Sequence, residues 1–331
     1  MPMHGFFNSI MLGLAVCIGL NTTATADFEL RDGDRVVFLG NSFFERALSS
    51  GFIESSLALR WPDRKITFRN LGWDGDTVFG HSRAGGRRRA VFGDAEEGFQ
   101  RMVKHVKSLR PSVIFVAYGF NESFADNEGI KSFRNGLNRL LDEVDSASTR
   151  IVLLSPVPIA AGYGTDIPFP TGDDGQSYVT KRNDILADYS KVIKEAARNR
   201  NSQFVDLFAS LRATYPSMEN GIHLSADGYR DVAEMIAEGL DFPPPQIDVQ
   251  SELGQSIRNA IIRKNTLYFH RWRPRNDAFV YGERKDEQKI AQTEPEKFEP
   301  FIARQEKLIR KLLGSITATP PSPKQRIDDV D

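Results

Sequence analysis

The sequence predicts an α/β fold: a parallel sheet with helical crossovers, followed by a helical extension. Three observations predict it. Short apolar runs alternate with amphipathic stretches of helical period as far as residue 240. One of those runs, Val113–Ala117, is apolar throughout, as a strand buried on both faces requires. Beyond Phe242-Pro243-Pro244-Pro245 the composition shifts to a charged stretch that is too poor in apolar residues to hold a core alone.

The elements follow in order. Arg35–Leu39 reads as the first strand and Phe43–Arg60 as an amphipathic helical stretch. Ile66–Asn70 is the second strand. Glu96–Leu109 is a helix, with Phe99, Met102, Val103 and Val106 on one face. Val113–Ala117 is the third strand, followed by a helix near Gly129–Val144. Ile151–Leu154 is the fourth strand, and a Gly/Pro/Asp-rich loop covers Pro156–Gly175. A helix near Tyr178–Arg198 precedes the fifth strand, Gln203–Val205, and Ser225 N-caps a helix that ends near Leu240. Such alternation implies right-handed crossovers and a site at the carboxyl ends of the strands. Residues 246–313 read as an appended helical segment ending in a helix over Phe301–Leu313, and 315–331 as a disordered tail.

The 331 residues carry 43 Lys and Arg against 44 Asp and Glu, so no charge excess points to nucleic acid or to an anionic membrane surface. Residues 1–26 read as a secretory signal. Ile10–Leu20 is its apolar core, too short for a membrane span, and Ala24-Thr25-Ala26 is an A-x-A cleavage site. The expected address is secreted or periplasmic. Cys17, the one cysteine, lies inside that segment, so the mature chain is expected to form no disulfide and to use no thiolate or cysteine-bound metal.

The chemistry-bearing residues sit at strand ends. Gly40-Asn41-Ser42 closes the first strand. A serine at that turn is presented on the sheet edge with its N–H at the positive end of the following helix. That suits a nucleophile whose attack creates an oxyanion. Gly75, in Asn70-Leu71-Gly72-Trp73-Asp74-Gly75-Asp76-Thr77, could offer an unhindered N–H, and Asn121, in Gly119-Phe120-Asn121-Glu122, a side-chain amide. In isolation each is equally an ordinary turn residue. His223, in Asn220-Gly221-Ile222-His223-Leu224, is the candidate base; His81 is secondary, and His105 falls within a helix. The basic run Arg83-Ala84-Gly85-Gly86-Arg87-Arg88-Arg89 reads as a solvated loop, with an anion subsite as the alternative, and Tyr268–Trp272 as packing rather than a sugar platform.

In this order the four blocks resemble those of the SGNH (GDSL-type) serine hydrolases, over about residues 33–240. The second and third blocks, and the Arg263–Arg273 region, resemble a secreted branch of that family found in Planctomycetes-type bacteria, which carries a C-terminal extension. The resemblance implies a flavodoxin-like α/β/α domain over 27–242, with the helical extension, 243–314, packed on it. It implies a serine esterase acting on small-molecule or carbohydrate esters without cofactor or metal. Ser42 would be the nucleophile and His223 the base; the N–H groups of Ser42 and Gly75 and the Asn121 amide would form the oxyanion hole. Asn220 stands where the family has the triad aspartate. An amide orients the ring but brings no charge, and in one serine protease the acid-to-amide change lowers kcat about ten-thousandfold. Glu219 or Asp227 could serve instead, a backbone carbonyl could complete a Ser–His dyad, or the site could be non-catalytic. A carbohydrate-binding protein and a surface-polymer acyltransferase are the alternatives to the esterase.

Overall fold

The computed structural model describes residues 28–84, 95–160, 172–214, 217–274, 277–280, 282 and 284–318. The segment 1–26, its Cys17 and the tail beyond 318 lie outside the described residues.

Five strands form one all-parallel sheet: β1 (Arg35–Gly40), β2 (Thr67–Asn70), β3 (Val113–Ala117), β4 (Arg150–Leu154) and β5 (Gln203–Val205). Their spatial order is β2-β1-β3-β4-β5. The direction of winding reverses between β1 and β3, where Gly40 lies opposite Ala117. In open α/β sheets the binding crevice forms at that reversal, beyond the carboxyl ends of the strands.

Alternate strand residues build two cores, as the two-residue period dictates. Val36, Phe38, Val113, Phe115, Val152 and Leu154 face one side. There they meet α1 (Ser42–Ser50), α2 (Phe52–Arg60), α6 (Leu207–Thr214) and α7 (Ala226–Glu238). Val37, Leu39, Ile114, Val116, Ile151 and Leu153 face the other. Their partners are α3 (Ala95–Ser108), α4 (Ile130–Val144) and α5 (Gly172–Asn199). This is the three-layer arrangement expected from the sequence.

The differences from the sequence reading have local causes. The single stretch expected over Phe43–Arg60 is two helices, because Gly51 takes a left-handed φ of 68° and caps α1 through its N–H to the Ala47 carbonyl. Helix α5 begins at Gly172, inside the loop expected to last to Gly175, with Asp173 and Asp174 in its first turn. Helix α6 was not anticipated.

The C-terminal segment supplies α8 (Glu252–Trp272), the short α9 (Asp277–Val280) and α10 (Glu299–Ala318). Helix α10 is longer at both ends than Phe301–Leu313, so residues 315–318 are helical. Ile257 and Ile261 of α8 and Ile309 and Leu313 of α10 enter the first core, while Tyr268, Trp272 and Ile302 enter the second. Lys264 crosses this junction to donate to both carboxylate oxygens of Glu54, at 2.7 and 2.8 Å, and to the Phe68 carbonyl at 3.1 Å. No helix among the described residues is long and apolar enough to cross a membrane.

Gly72 lets the loop after β2 lie directly on α1. A Cβ there would sit 2.2 Å from the Glu45 nitrogen and 2.6 Å from the Phe44 carbonyl carbon, both of them backbone. Overpacking against immovable atoms destabilises by about 1–3 kcal/mol. Gly72→Ala is expected near the top of that range, read as a lowered urea midpoint at unchanged m-value.

Candidate active site

Ser42 is the first residue of α1. Asn41 caps the helix, its Oδ1 accepting from the Phe43 N–H at 3.0 Å. The Ser42 N–H therefore belongs to the first turn, where helix geometry leaves donors without intrahelical partners. The Gly75 N–H points at Ser42 Oγ, 3.4 Å away, from a backbone with φ of 70°. Ser42 Oγ itself donates to Oδ1 of Asp74, the residue before that glycine.

Asn121 follows β3, and its amide donates one hydrogen to the Asp76 carbonyl at 2.7 Å. The second hydrogen of that amide remains for another acceptor. Glu122 ties the loops together: it accepts from the Val78 N–H and from the Gly119 N–H, each at 2.8 Å. Burial pushes the Glu122 carboxyl up to about 7, opposed by those hydrogen bonds and reinforced by the nearby Asp76 charge.

His223 lies in the loop before α7. Gly221, with φ of 76°, turns that loop, and the Glu219 N–H donates to the His223 carbonyl at 2.8 Å. Asn220 Oδ1 accepts from the N–H groups of Ile222 and His223, at 3.2 and 2.9 Å. Those two donors settle the amide orientation, since a flip would turn the NH2 toward them. The NH2 consequently faces His223 Nδ1 at 3.2 Å. A donor there makes Nδ1 an acceptor, so the neutral ring carries its hydrogen on Nε2. Burial lowers the His223 pKa, as does Arg46, while Asp74 and Glu219 oppose the shift. The ring is accordingly neutral at pH 7.

Neither acid expected to serve His223 reaches its ring. Glu219 pairs with Arg46, and Asp227 with Arg230 at 2.8 Å. Among the described residues no hydrogen bond joins Ser42 to His223. Both nevertheless line one cavity of about 220 Å³, together with Asn121, Phe120, Phe124 and Val157. His81 binds Thr77 and does not line it. His105 packs on Trp272 with ring centroids 5.1 Å apart; burial, with Arg83, Arg271 and Arg101 nearby, lowers its pKa to about 3.

Two connections were missed in the sequence. Arg83, expected in a solvated loop, is 1% exposed and donates from Nε to Asp76 at 2.7 Å and from Nη2 to the Leu71 carbonyl at 2.6 Å. The rest of the basic run, 85–89, lies outside the described residues. Tyr118 adds a third bond, its hydroxyl donating to Asp76 at 3.0 Å. The second connection is Glu45, in the first turn of α1. Its carboxylate accepts from the Asp74 N–H and from Arg273, just beyond α8. Asp76 and Arg83 stand seven positions apart in the loop after β2, and no one helix or strand carries both. Glu45 and Arg273 are far apart in the chain. No metal-holding group of three or more His, Cys, Asp or Glu occurs among the described residues.

The cavity therefore opens at the switch point of a parallel sheet, with Ser42 in its wall. The chain belongs to the GDSL-like lipase/acylhydrolase family, whose sequence profile matches residues 38–230. Comparison with curated proteins finds no match. Among solved structures it is similar to BT4096, a gut microbial diltiazem-metabolizing enzyme, at 19% identity and a TM-score of 0.47. That match covers 65% of this chain and 48% of the other, so the chain spans about half the length of that enzyme. It is also similar to Axe2, an acetylxylan esterase from Geobacillus stearothermophilus, at 18% identity and a TM-score of 0.47, covering 65% of this chain and 98% of Axe2.

Removing one partner of a buried ion pair leaves the other charge uncompensated, at about 3–5 kcal/mol. Arg83→Leu is expected to destabilise by that amount in chemical denaturation. Asp76→Asn added to it should restore part of the loss, because the orphaned charge is then gone.

Proposed function

We propose that the chain is an exported serine esterase that forms an acyl-enzyme on Ser42 and releases small acyl groups, acetyl foremost, from a carbohydrate ester. The observation that carries this reading is the convergence of Ser42, Asn121 and His223 on one cavity, with the Gly75 N–H directed at Ser42 Oγ. The N–H groups of Ser42 and Gly75 and the spare Asn121 amide hydrogen serve as oxyanion donors. They act where negative charge develops, on the carbonyl oxygen of the attacked ester. His223 supplies an imidazole at the same cavity, with Asn220 setting its tautomer.

The substrate class is argued from the walls. A cavity of about 220 Å³ lined by Phe120, Phe124 and Val157 suits a short acyl group better than a fatty chain. Phe124 is 56% exposed and meets Phe120 edge-on at 5.8 Å. Such an aromatic lip offers the apolar face of a sugar ring a stacking surface. Export follows from the apolar core and A-x-A site within residues 1–26.

Incubation with an acetylated oligosaccharide should release acetate, and short acyl esters should be preferred to long ones. Ser42→Ala should lose both hydrolysis and covalent labelling by a fluorophosphonate while keeping the thermal midpoint. Labelling that persists on another serine would remove Ser42 from the role.

Asn220→Asp is expected to raise kcat/KM on an activated ester more than tenfold. A carboxylate at the Asn220 position accepts from Nδ1, which moves the ring hydrogen there and leaves Nε2 free as a base. Steady-state kinetics of the two proteins decide it. Unchanged or lower activity would mean that ring tautomer does not limit this site.

A further inference from the structure

Resting on the esterase reading, we infer that the ion pair of Arg46 and Glu219 is a clasp that positions His223, as the base, against Ser42. Arg46 stands four positions after Ser42 on α1, one turn along the same face of the helix. Its Nη2 donates to the Glu219 carboxylate. Glu219 is tied in turn to the histidine through the backbone. Its N–H donates to the His223 carbonyl at 2.8 Å, and the Ser225 N–H donates to the Ser217 carbonyl at 3.0 Å. Between those bonds Met218 and Leu224 form an antiparallel bridge. Residues 217–225 are therefore a closed turn, with Glu219 on one arm and His223 on the other. A grip on the first arm from α1 fixes where the ring on the second arm stands.

The clasp matters because Ser42 and His223 share a cavity wall without a hydrogen bond between them among the described residues. Their spacing is accordingly set by the elements that carry them. Tyr229, on α7, supplies a second tie to the same helix: its hydroxyl donates to the Phe43 carbonyl at 2.7 Å. His223 lies between the two ties in the chain and is held from both sides. Neither Arg46 nor Glu219 lines the cavity, so the pair acts through the ring and not on the substrate.

The same two charges bear on the protonation of the ring. Burial is the largest cause that holds the His223 pKa below its ordinary value; Arg46 adds to it, and Asp74 and Glu219 oppose it. These three charges face the ring from α1, from the loop after β2 and from its own loop. On α7, Tyr229 is kept uncharged by burial, and Asp227 and Arg230 answer each other. Arg46 and Glu219 thus push the ring in opposite directions while holding it in one place. Removing either should loosen the ring alike, yet move its titration oppositely.

The test uses the full chain and an activated acetyl ester, and reads kcat, KM and the pH profile of kcat/KM. Misplacing a reacting group by about 1 Å can cost on the order of a hundredfold. Arg46→Met and Glu219→Gln should each lower kcat by about tenfold, and by about threefold at the least, with KM little changed. On the acid limb kcat/KM rises with pH as the base loses its proton. Without the Arg46 cation the ring keeps its proton to higher pH, so the limb moves up. Without the Glu219 charge it loses its proton sooner, and the limb moves down. Both displacements should shrink in high salt. Arg46 meets Glu219 through one nitrogen, so Arg46→Lys should leave the limb in place and be faster than Arg46→Met. The pair is half-exposed and adds little to stability, so all the variants should keep the wild-type thermal midpoint. Losses below about threefold overturn the inference while leaving the esterase reading intact. A loss of kcat at an unmoved limb overturns it too, since the group that titrates is then not the one the pair holds. So does Arg46→Lys no faster than Arg46→Met. Wild type that neither labels at Ser42 with a fluorophosphonate nor hydrolyses the ester overturns the esterase reading, and the clasp with it.

Discussion

The buried pair of Asp76 and Arg83 is the constraint on which the site depends. Asp76 is 0% exposed, and its carboxylate takes hydrogen bonds from Arg83, Tyr118 and the Ser82 N–H. Its own carbonyl holds the Asn121 amide. Arg83 reaches back to the Leu71 carbonyl and lies over the rings of Trp73 and Trp272, 5.5 and 5.8 Å from their centroids. The loop after β2 is thereby closed on itself and joined to the end of β3. Asp74 and Gly75 lie inside that closure. A buried ion pair contributes little net stability, but its geometry leaves few alternatives. Here it sets where the Gly75 N–H and the Asn121 amide stand relative to Ser42.

The C-terminal helices brace the same loop from the other side. Trp272 meets Trp73 edge-on at 5.5 Å, and Arg273 sits 4.2 Å over the Trp73 ring while binding Glu45. Lys264 and Glu54 fasten α8 to α2 farther along. The extension thus reaches the first turn of α1 through Glu45, which stands three positions after Ser42 and also holds the Asp74 N–H. Its buried Tyr268 and Trp272 belong to the packing rather than to an open sugar platform.

An amide rather than an acid at Asn220 has a consequence beyond the absence of charge. An amide has a donor end, and the two N–H groups behind it force that end toward the imidazole. With the amide so placed, the neutral ring carries its hydrogen on Nε2. Ser42, with a carboxylate beside it in Asp74, is bonded there instead.

Much of this was legible in the sequence. The five strands and most sheet-packing helices follow from apolar period, because burial on one or two faces leaves a regular trace in the chain. Ser42, Gly75, Asn121 and His223 were legible because each falls at a strand end or before a capped helix, where a parallel sheet gathers its loops. The Asp76–Arg83 pair, the Glu45–Arg273 contact and the meeting of Ser42 with Asp74 were decided only by the tertiary structure. Such partnerships depend on distances across space between charged side chains, and a charge in a loop reads alike in sequence whether it is solvated or wholly buried, as Arg83 is. The tautomer of His223 lay still further out of reach. Sequence names Asn220, but the direction in which its amide points is set by the two backbone hydrogens that the folded loop aims at it.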